Sequence, residues 1–84
     1  MKKLNKISIY LELFDLYKKM LTEYQREVFE LYYFYDYTLQ EIADSKKISK
    51  NAVHDNLKKT EKSLLIMEEK IGFFKFKKQV NKKV

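Results

Sequence analysis

The spacing of apolar side chains near the start of the chain predicts an amphipathic helix. Between residues 7 and 21 these side chains recur three or four positions apart in two rows, namely Tyr10, Leu13, Tyr17 and Met20, and beside them Ile7, Leu11, Phe14 and Leu21. Two adjacent rows at helical spacing form a wide apolar face, which a surface helix turns toward the core. We therefore predict a first helix that packs on the rest of the chain.

The next segment, LTEYQREVFELYYFYDY, combines a helix start with apolar side chains on every side. Thr22 and Gln25 form a capping-box pair, which predicts a helix from about residue 23 to residue 35. One face carries Val28, Leu31, Tyr32 and Tyr35, and the other sides carry Tyr24, Phe29, Tyr33 and Phe34. Because helical spacing accounts for these positions, we favour core or dimer packing over stacking on unpaired RNA bases.

A second capping-box pair, Thr38 with Glu41, predicts a short helix, and Ser49 is a suitable N-cap for another helix. About four residues, SKKI, would separate the two, which is the connection length of a helix-turn-helix. The facing positions would be Leu39, Ile42, Ala43, Val53 and Leu57. We place the helix-turn-helix core at residues 38–64.

Other side chains at the start of the later helix would point away from this core. In a helix-turn-helix, such positions meet base edges and phosphates. With the turn they form a candidate nucleic-acid-binding surface of Lys46, Lys47, Ser49, Lys50, Asn51, His54, Lys58 and Lys59. Asp55 lies among them and would repel phosphate, so we expect it to pair with Lys58 or Lys59 one turn further on.

The later helix is predicted to continue to about residue 71. Its apolar positions alternate three and four apart like a coiled-coil seam, and they are Leu57, Thr60, Leu64, Met67, Ile71 and Phe74. The seam could pack on the first helix or on a second copy, and we favour a homodimer because so small a domain gains stability by sharing its aromatic surface. Gly72 is a candidate helix cap.

The basic tail, residues 72–84, is open to three interpretations. In order of preference these are a nucleic-acid clamp, a solvated end and a contact with anionic membrane, which so short a segment would bind only marginally.

The composition supports a helical bundle. The 84 residues include no proline, no cysteine and one glycine, so the residues that punctuate β-hairpins are nearly absent and neither a disulfide nor a thiolate metal site can form. We predict an all-α fold, a helix-turn-helix bundle with a long C-terminal recognition or dimerisation helix. Residues 1–84 are interpreted as a single domain without a wing.

Positive charge is concentrated in the second half of the chain. Residues 1–44 have a formal net charge of −2, and residues 45–84 have one of +8. A cationic half beside a mildly anionic half is typical of a polyanion-binding face. General enrichment in lysine, which accounts for all basic residues except Arg26, would produce a similar excess without a partner.

Catalysis is not indicated. The chain has no glycine-rich phosphate loop, and its single histidine, His54, has no second base nearby to activate a serine. Zinc needs three or four protein ligands, and the sequence has no cluster at that spacing. We expect no catalytic residue, no metal and no cofactor.

The apolar stretch near the N-terminus is not interpreted as a secretory signal, because Glu12 and Asp15 interrupt it and no small-residue cleavage site follows. No apolar run approaches the length of a membrane span. We expect a cytoplasmic protein without stable membrane insertion.

The segment from Leu21 to Leu64 resembles the C-terminal promoter-reading domain of bacterial sigma factors, in which a capped helical arrangement ends in a recognition helix. A wider match, carried by LYY, TLQEIA, AVHDNLKKTE and EEK, covers nearly all of the chain and is similar to the YlxM family of small bacterial helix-turn-helix proteins. This resemblance implies an accessory or regulatory role in protein targeting, with signal recognition particle components as partners. It implies neither a reaction nor a DNA operator.

The turn departs from the sigma-like pattern, because Lys46-Lys47 stands where Leu-Gly is usual. If the turn is kept, Lys47 adopts a left-handed conformation that costs about 1 kcal/mol in a residue other than glycine. Loss of the leucine removes an apolar anchor, so either the turn is looser or the preceding helix runs on. Lys50 stands where arginine is common and lacks the fork that reads guanine.

Three functions therefore remain open. The first is binding of structured RNA by lysines that need not discriminate bases. The second is reading of duplex DNA, with Lys50, Asn51 and His54 in the major groove. The third is a protein adaptor that keeps the helix-turn-helix as scaffold and contacts a targeting GTPase through an aromatic face including Phe29 and Tyr33.

Overall fold

The computed structural model describes residues 6–72. Within that range the chain forms four α-helices and no strand: α1 (Lys6–Tyr17), α2 (Glu23–Tyr33), α3 (Leu39–Lys46) and α4 (Lys50–Ile71), with a short 3₁₀ turn at Lys18–Met20. The predicted all-α fold is confirmed. The tail beyond Gly72, which includes Phe74 of the predicted seam, lies outside the described residues.

The first helix is shorter than predicted. Its central apolar residues are buried, but Ile7 and Met20, at the two ends of the predicted rows, are 54% and 60% exposed. The prediction was wrong at Met20 because the chain tightens after Tyr17 into a 3₁₀ turn, where three residues per turn rotate a side chain off an α-helical face. Leu21 follows in an extended conformation and is buried.

The start of α2 is as predicted, and its end is not. The Gln25 backbone N–H donates to Thr22 Oγ1 at 3.1 Å, and the Thr22 N–H donates to Gln25 Oε1 at 3.1 Å, which confirms the capping box. The helix ends at Tyr33 rather than near residue 35. Asp36 then adopts φ 61°, a left-handed conformation that aspartate tolerates, and Tyr35 is 68% exposed rather than part of a packing face.

Two adjacent residues of α2 serve two different core clusters. Phe29 stacks on Phe14 with ring centroids 4.2 Å apart, in a cluster completed by Leu13, Tyr17, Leu21 and Leu64. Val28 packs instead with Ile42, Ala43, Val53 and Leu57, which hold the helix-turn-helix together. Helix α2 is therefore buried on two sides, as expected of a helix with apolar side chains all round, whereas Tyr24 and Tyr32 are exposed. Phe29, fully buried, is not part of an exposed aromatic face.

Helix α4 extends to Ile71 and ends at Gly72, which adopts φ 74° and donates its N–H to the Glu68 carbonyl at 2.7 Å, so the predicted length and cap are confirmed. Leu57 and Leu64 of the seam are buried and Met67 is half-buried. Helix α1 of the same chain covers Leu64 and Met67, whereas Leu57 packs in the helix-turn-helix cluster. Ile71, by contrast, is 47% exposed and does not belong to the core.

Candidate nucleic-acid interface

The turn between α3 and α4 keeps the helix-turn-helix geometry without its usual residues. Lys47 adopts φ 60° and ψ 44°, the left-handed conformation expected of it. The Ile48 N–H donates to the Ala43 carbonyl at 3.0 Å, and the Ala52 N–H donates to Ser49 Oγ at 3.0 Å. Because α3 runs on through Lys46, the connection is shorter than predicted: it consists of residues 47–49 rather than of SKKI followed by the Ser49 cap, residues 45–49. The N-cap role predicted for Ser49 is confirmed.

Lys46 is oriented toward α2 rather than toward the remaining candidate residues. Its ammonium donates to Glu27 Oε1, and its Nζ lies 5.8 Å from the centroid of the Tyr24 ring. The lysine therefore anchors α3 to α2 by charge, at the position where the sigma-like pattern has an apolar leucine.

The other candidate residues lie on the exposed side of the turn and of the first turns of α4. Lys50, His54 and Lys58 follow one another at intervals of four, so they form one row along the helix. The neighbouring row contains Asn51 and Lys59, also exposed. Lys47 precedes both rows, and the Ser49 hydroxyl at the helix start is engaged as the cap.

The pairing expected for Asp55 is wrong. Its Oδ1 lies 3.8 Å from Nδ1 of His54, and Lys58 Nζ lies 3.8 Å from Oε1 of Glu61. Lys58 leans toward Glu61 because this carboxylate is held in the packed side of α4, with its side chain 12% exposed. The ammonium stays in solvent, since the Lys58 side chain is 66% exposed.

Glu61 belongs to a groove that was not predicted from the sequence. The groove has a volume of about 310 Å³ and is lined by Ile7, Tyr10, Tyr32, Tyr33, Leu39, His54, Leu57, Lys58 and Glu61. The Tyr33 hydroxyl donates to Glu61 Oε2 at 2.5 Å. The pKa of Tyr33 lies well above its ordinary value, mainly because the hydroxyl is buried and secondly because of this hydrogen bond. Burial and the Glu61 charge also raise the pKa of Tyr10.

A heptad relationship in the sequence is the signal that points to this groove. The Tyr17 hydroxyl donates to Glu68 Oε1 at 2.7 Å. Tyr10 precedes Tyr17 by seven residues, Glu61 precedes Glu68 by seven, and both of these earlier residues line the groove. Residues seven apart share one helix face, and the two pairs show that α1 and α4 run in parallel.

Within residues 6–72 no group of three or more metal-ligating side chains is assembled. In the same range no helix is both long and apolar enough to cross a membrane.

Comparison with known proteins matches residues 4–84 to a family described as "Putative helix-turn-helix protein, YlxM / p13 like". A UPF0122 protein of Caldanaerobacter subterraneus subsp. tengcongensis is 46% identical over 72 residues, which is 86% of this chain and 62% of the relative. One from Listeria monocytogenes is 46% identical over 63 residues, 75% of this chain and 57% of the relative. The chain thus spans about three fifths of the length of these relatives. It belongs to the YlxM/p13-like family of helix-turn-helix proteins.

Proposed function

We propose that this protein is a non-catalytic, cytoplasmic accessory protein that binds structured RNA through the exposed side of the turn and α4. The observation that carries the proposal is the cationic surface at the start of α4, where Lys47, Lys50, Lys58 and Lys59 are all exposed. Membership of a helix-turn-helix family supports nucleic acid as the partner.

The chemistry of this surface favours phosphate over base edges. Lysine presents a compact point charge, whereas bidentate reading of guanine in a groove needs the planar fork of arginine. The only arginine of the chain, Arg26, donates to the carbonyl oxygens of Lys18 and Leu21 and is engaged within the fold. Recognition by charge and shape is the usual mode for structured RNA, whose deep major groove excludes side chains.

The resemblance to YlxM proteins makes the RNA of the signal recognition particle the first target to try. A DNA regulator is the second candidate function, because Asn51 is exposed where a recognition helix reads bases and asparagine can bond an adenine edge with two hydrogen bonds. In that case Asn51→Ala should lower discrimination at a single base-pair position by about 1–3 kcal/mol.

The test is the salt dependence of binding. Replacing Lys50 and Lys58 together by alanine should weaken binding to the RNA and reduce the slope of log affinity against log salt by about two, one for each lost phosphate contact. A matched control replaces Lys18 and Lys19 by alanine, which removes the same total charge. These lysines lie in the 3₁₀ turn after α1, close to where Tyr17 contacts Glu68 and distant from the turn between α3 and α4.

An unchanged slope in the Lys50/Lys58 variant would show that α4 is not part of the interface with RNA. An equal reduction in the control would mean that net charge alone drives binding. Competition between the RNA and duplex DNA of matched length would then distinguish the two candidate functions.

A further inference from the structure

The groove beside α4 is lined by aromatic, apolar and acidic side chains. Three tyrosines, Tyr10, Tyr32 and Tyr33, line its walls together with apolar side chains, and Glu61 adds a carboxylate. Tyr32 and Tyr33 meet edge to face, with ring centroids 5.0 Å apart. Tyrosine rings beside a cationic helix are the platform on which proteins stack unpaired bases.

A second groove continues the first and extends the aromatic lining. It shares Ile7, Tyr32, Tyr33 and Leu39 with the first groove and adds Asp36, Tyr37 and Thr38 from the segment between α2 and α3. Tyr37, at its far end, is 39% exposed. The tyrosine surface therefore extends from the charged row of α4 to the segment that precedes α3.

The polar side chains of the first groove are arranged by depth. His54 and Lys58, with side chains 54% and 66% exposed, stand at its edge, while the Glu61 side chain is 12% exposed. A nucleotide has the complementary arrangement, because its phosphate is anionic and its base edge carries N–H donors. A free cationic side chain would match Glu61 but would meet the positive edge formed by Lys58.

We propose that this groove accepts one unpaired guanine of the bound RNA. The base stacks on the tyrosine walls, its N1–H and exocyclic amine donate to Glu61, and its phosphate lies near Lys58. The inference rests on the proposed function, since it places part of the same RNA beside the same helix.

Glu61 can still accept such a base while it holds Tyr33. A carboxylate offers about four acceptor positions, and within the described residues Glu61 uses one for the Tyr33 hydroxyl. Its Oε1 faces Lys58 at 3.8 Å, beyond hydrogen-bonding distance.

Guanine is favoured over the other bases by its two adjacent donors. Adenine and cytosine each place an acceptor nitrogen beside the amino group, and uracil flanks its single N–H with two carbonyl oxygens. An acceptor facing a carboxylate is repulsive, so these bases would bind less tightly.

The experiment uses RNA hairpins that share one stem and have a loop of uridines in which a single position is guanine, 1-methylguanine, adenine or uridine. We expect the guanine hairpin to bind the full chain about tenfold more tightly than the uridine hairpin. Methylation at N1 removes one donor, so 1-methylguanine should lose most of that preference without any change to the protein.

The protein-side test is Glu61→Gln, which keeps a carbonyl acceptor for Tyr33 but turns an amide N–H donor toward the N–H donors of the guanine edge. We expect this variant to bind the guanine and uridine hairpins equally while its affinity for the shared stem is unchanged. Glu69→Gln, an exposed carboxylate on the same helix, makes the same change of charge and should keep the preference.

Equal binding of guanine and 1-methylguanine would overturn the groove site and leave the RNA function intact. If none of the hairpins bound at any salt concentration, the proposed function would be overturned instead. If arginine amide competed more strongly for the groove than the guanine hairpin did, the occupant would be a peptide cation. That result would also overturn the guanine site.

Discussion

The Tyr33 hydroxyl on α2 donates a 2.5 Å hydrogen bond to Glu61 on α4, across 28 residues of sequence. This contact places a carboxylate among tyrosines at the edge of the helix-turn-helix. It also ties the helix that carries the candidate nucleic-acid surface to the helix that links the two core clusters.

The stability of the protein should fall at alkaline pH because of this contact. The pKa of Tyr33 is raised above its ordinary value of 10.0, so above pH 10 the unfolded chain loses this proton while the folded chain keeps it. The raised pKa therefore contributes stability below pH 10 that is lost as pH rises further. Tyr33→Phe should lower the free energy of unfolding at neutral pH and flatten its alkaline decline.

Urea unfolding at a series of pH values measures this effect. Tyr35→Phe, at a tyrosine that is 68% exposed, is the matched control and should leave the decline as it is in the unmodified protein. An equally steep decline in Tyr33→Phe would show that other groups govern the alkaline transition.

Removing a hydroxyl from the core should stabilise the protein. Thr60 is fully buried in the α4 seam, and its Oγ1 has no hydrogen-bond partner within the described residues. Thr60→Val keeps the shape and removes the cost of burying an unpaired polar atom, so we expect a gain of about 1 kcal/mol in the free energy of unfolding. Thr22→Val is the contrasting variant, because it deletes a capping hydroxyl and should cost about 1 kcal/mol. A loss in both variants would mean that Thr60 has a partner in solution.

Two nearby phenylalanines should respond very differently to truncation. Phe29 is fully buried and stacked on Phe14, so Phe29→Ala should cost about 3–5 kcal/mol. Phe34 is 53% exposed, so Phe34→Ala should cost much less. Thermal unfolding of the two variants makes the comparison. If partner binding fell in a Phe29→Ala variant that remained as stable as the unmodified chain, the adaptor interpretation would be restored.

Two substitutions of Lys47, the left-handed residue of the turn, distinguish its effect on stability from its effect on RNA binding. Lys47→Gly removes the conformational cost at φ 60° and should raise stability by about 0.5–1 kcal/mol, while the lost charge weakens RNA binding. Lys47→Ala loses the same charge but keeps the strain. We expect equal RNA affinities for the two variants and higher stability for glycine, measured by salt titration and urea unfolding. Equal stabilities would mean that the turn relaxes when Lys47 is replaced.

Local features of the fold were predictable because their causes lie within a few residues. The capping boxes at Thr22 and Thr38, the Ser49 cap, the left-handed Lys47 and the Gly72 end all depend on hydrogen bonds or backbone preferences between near neighbours in sequence. Helical periodicity likewise indicated a long α4, whose seam side is buried as far as Leu64.

The sequence by itself therefore determined an all-α chain with a helix-turn-helix and a basic half. Only the tertiary structure decided that α1 of the same chain covers the seam at Leu64 and Met67. It also decided that Lys46 turns to Glu27 and that Tyr35 and Met20 face solvent. It also brought Tyr10 and Tyr33 to Glu61. Helical spacing identifies which side chains share a face, but which face is covered depends on contacts between helices distant in sequence. Those contacts follow from how each helix ends and how its neighbours pack.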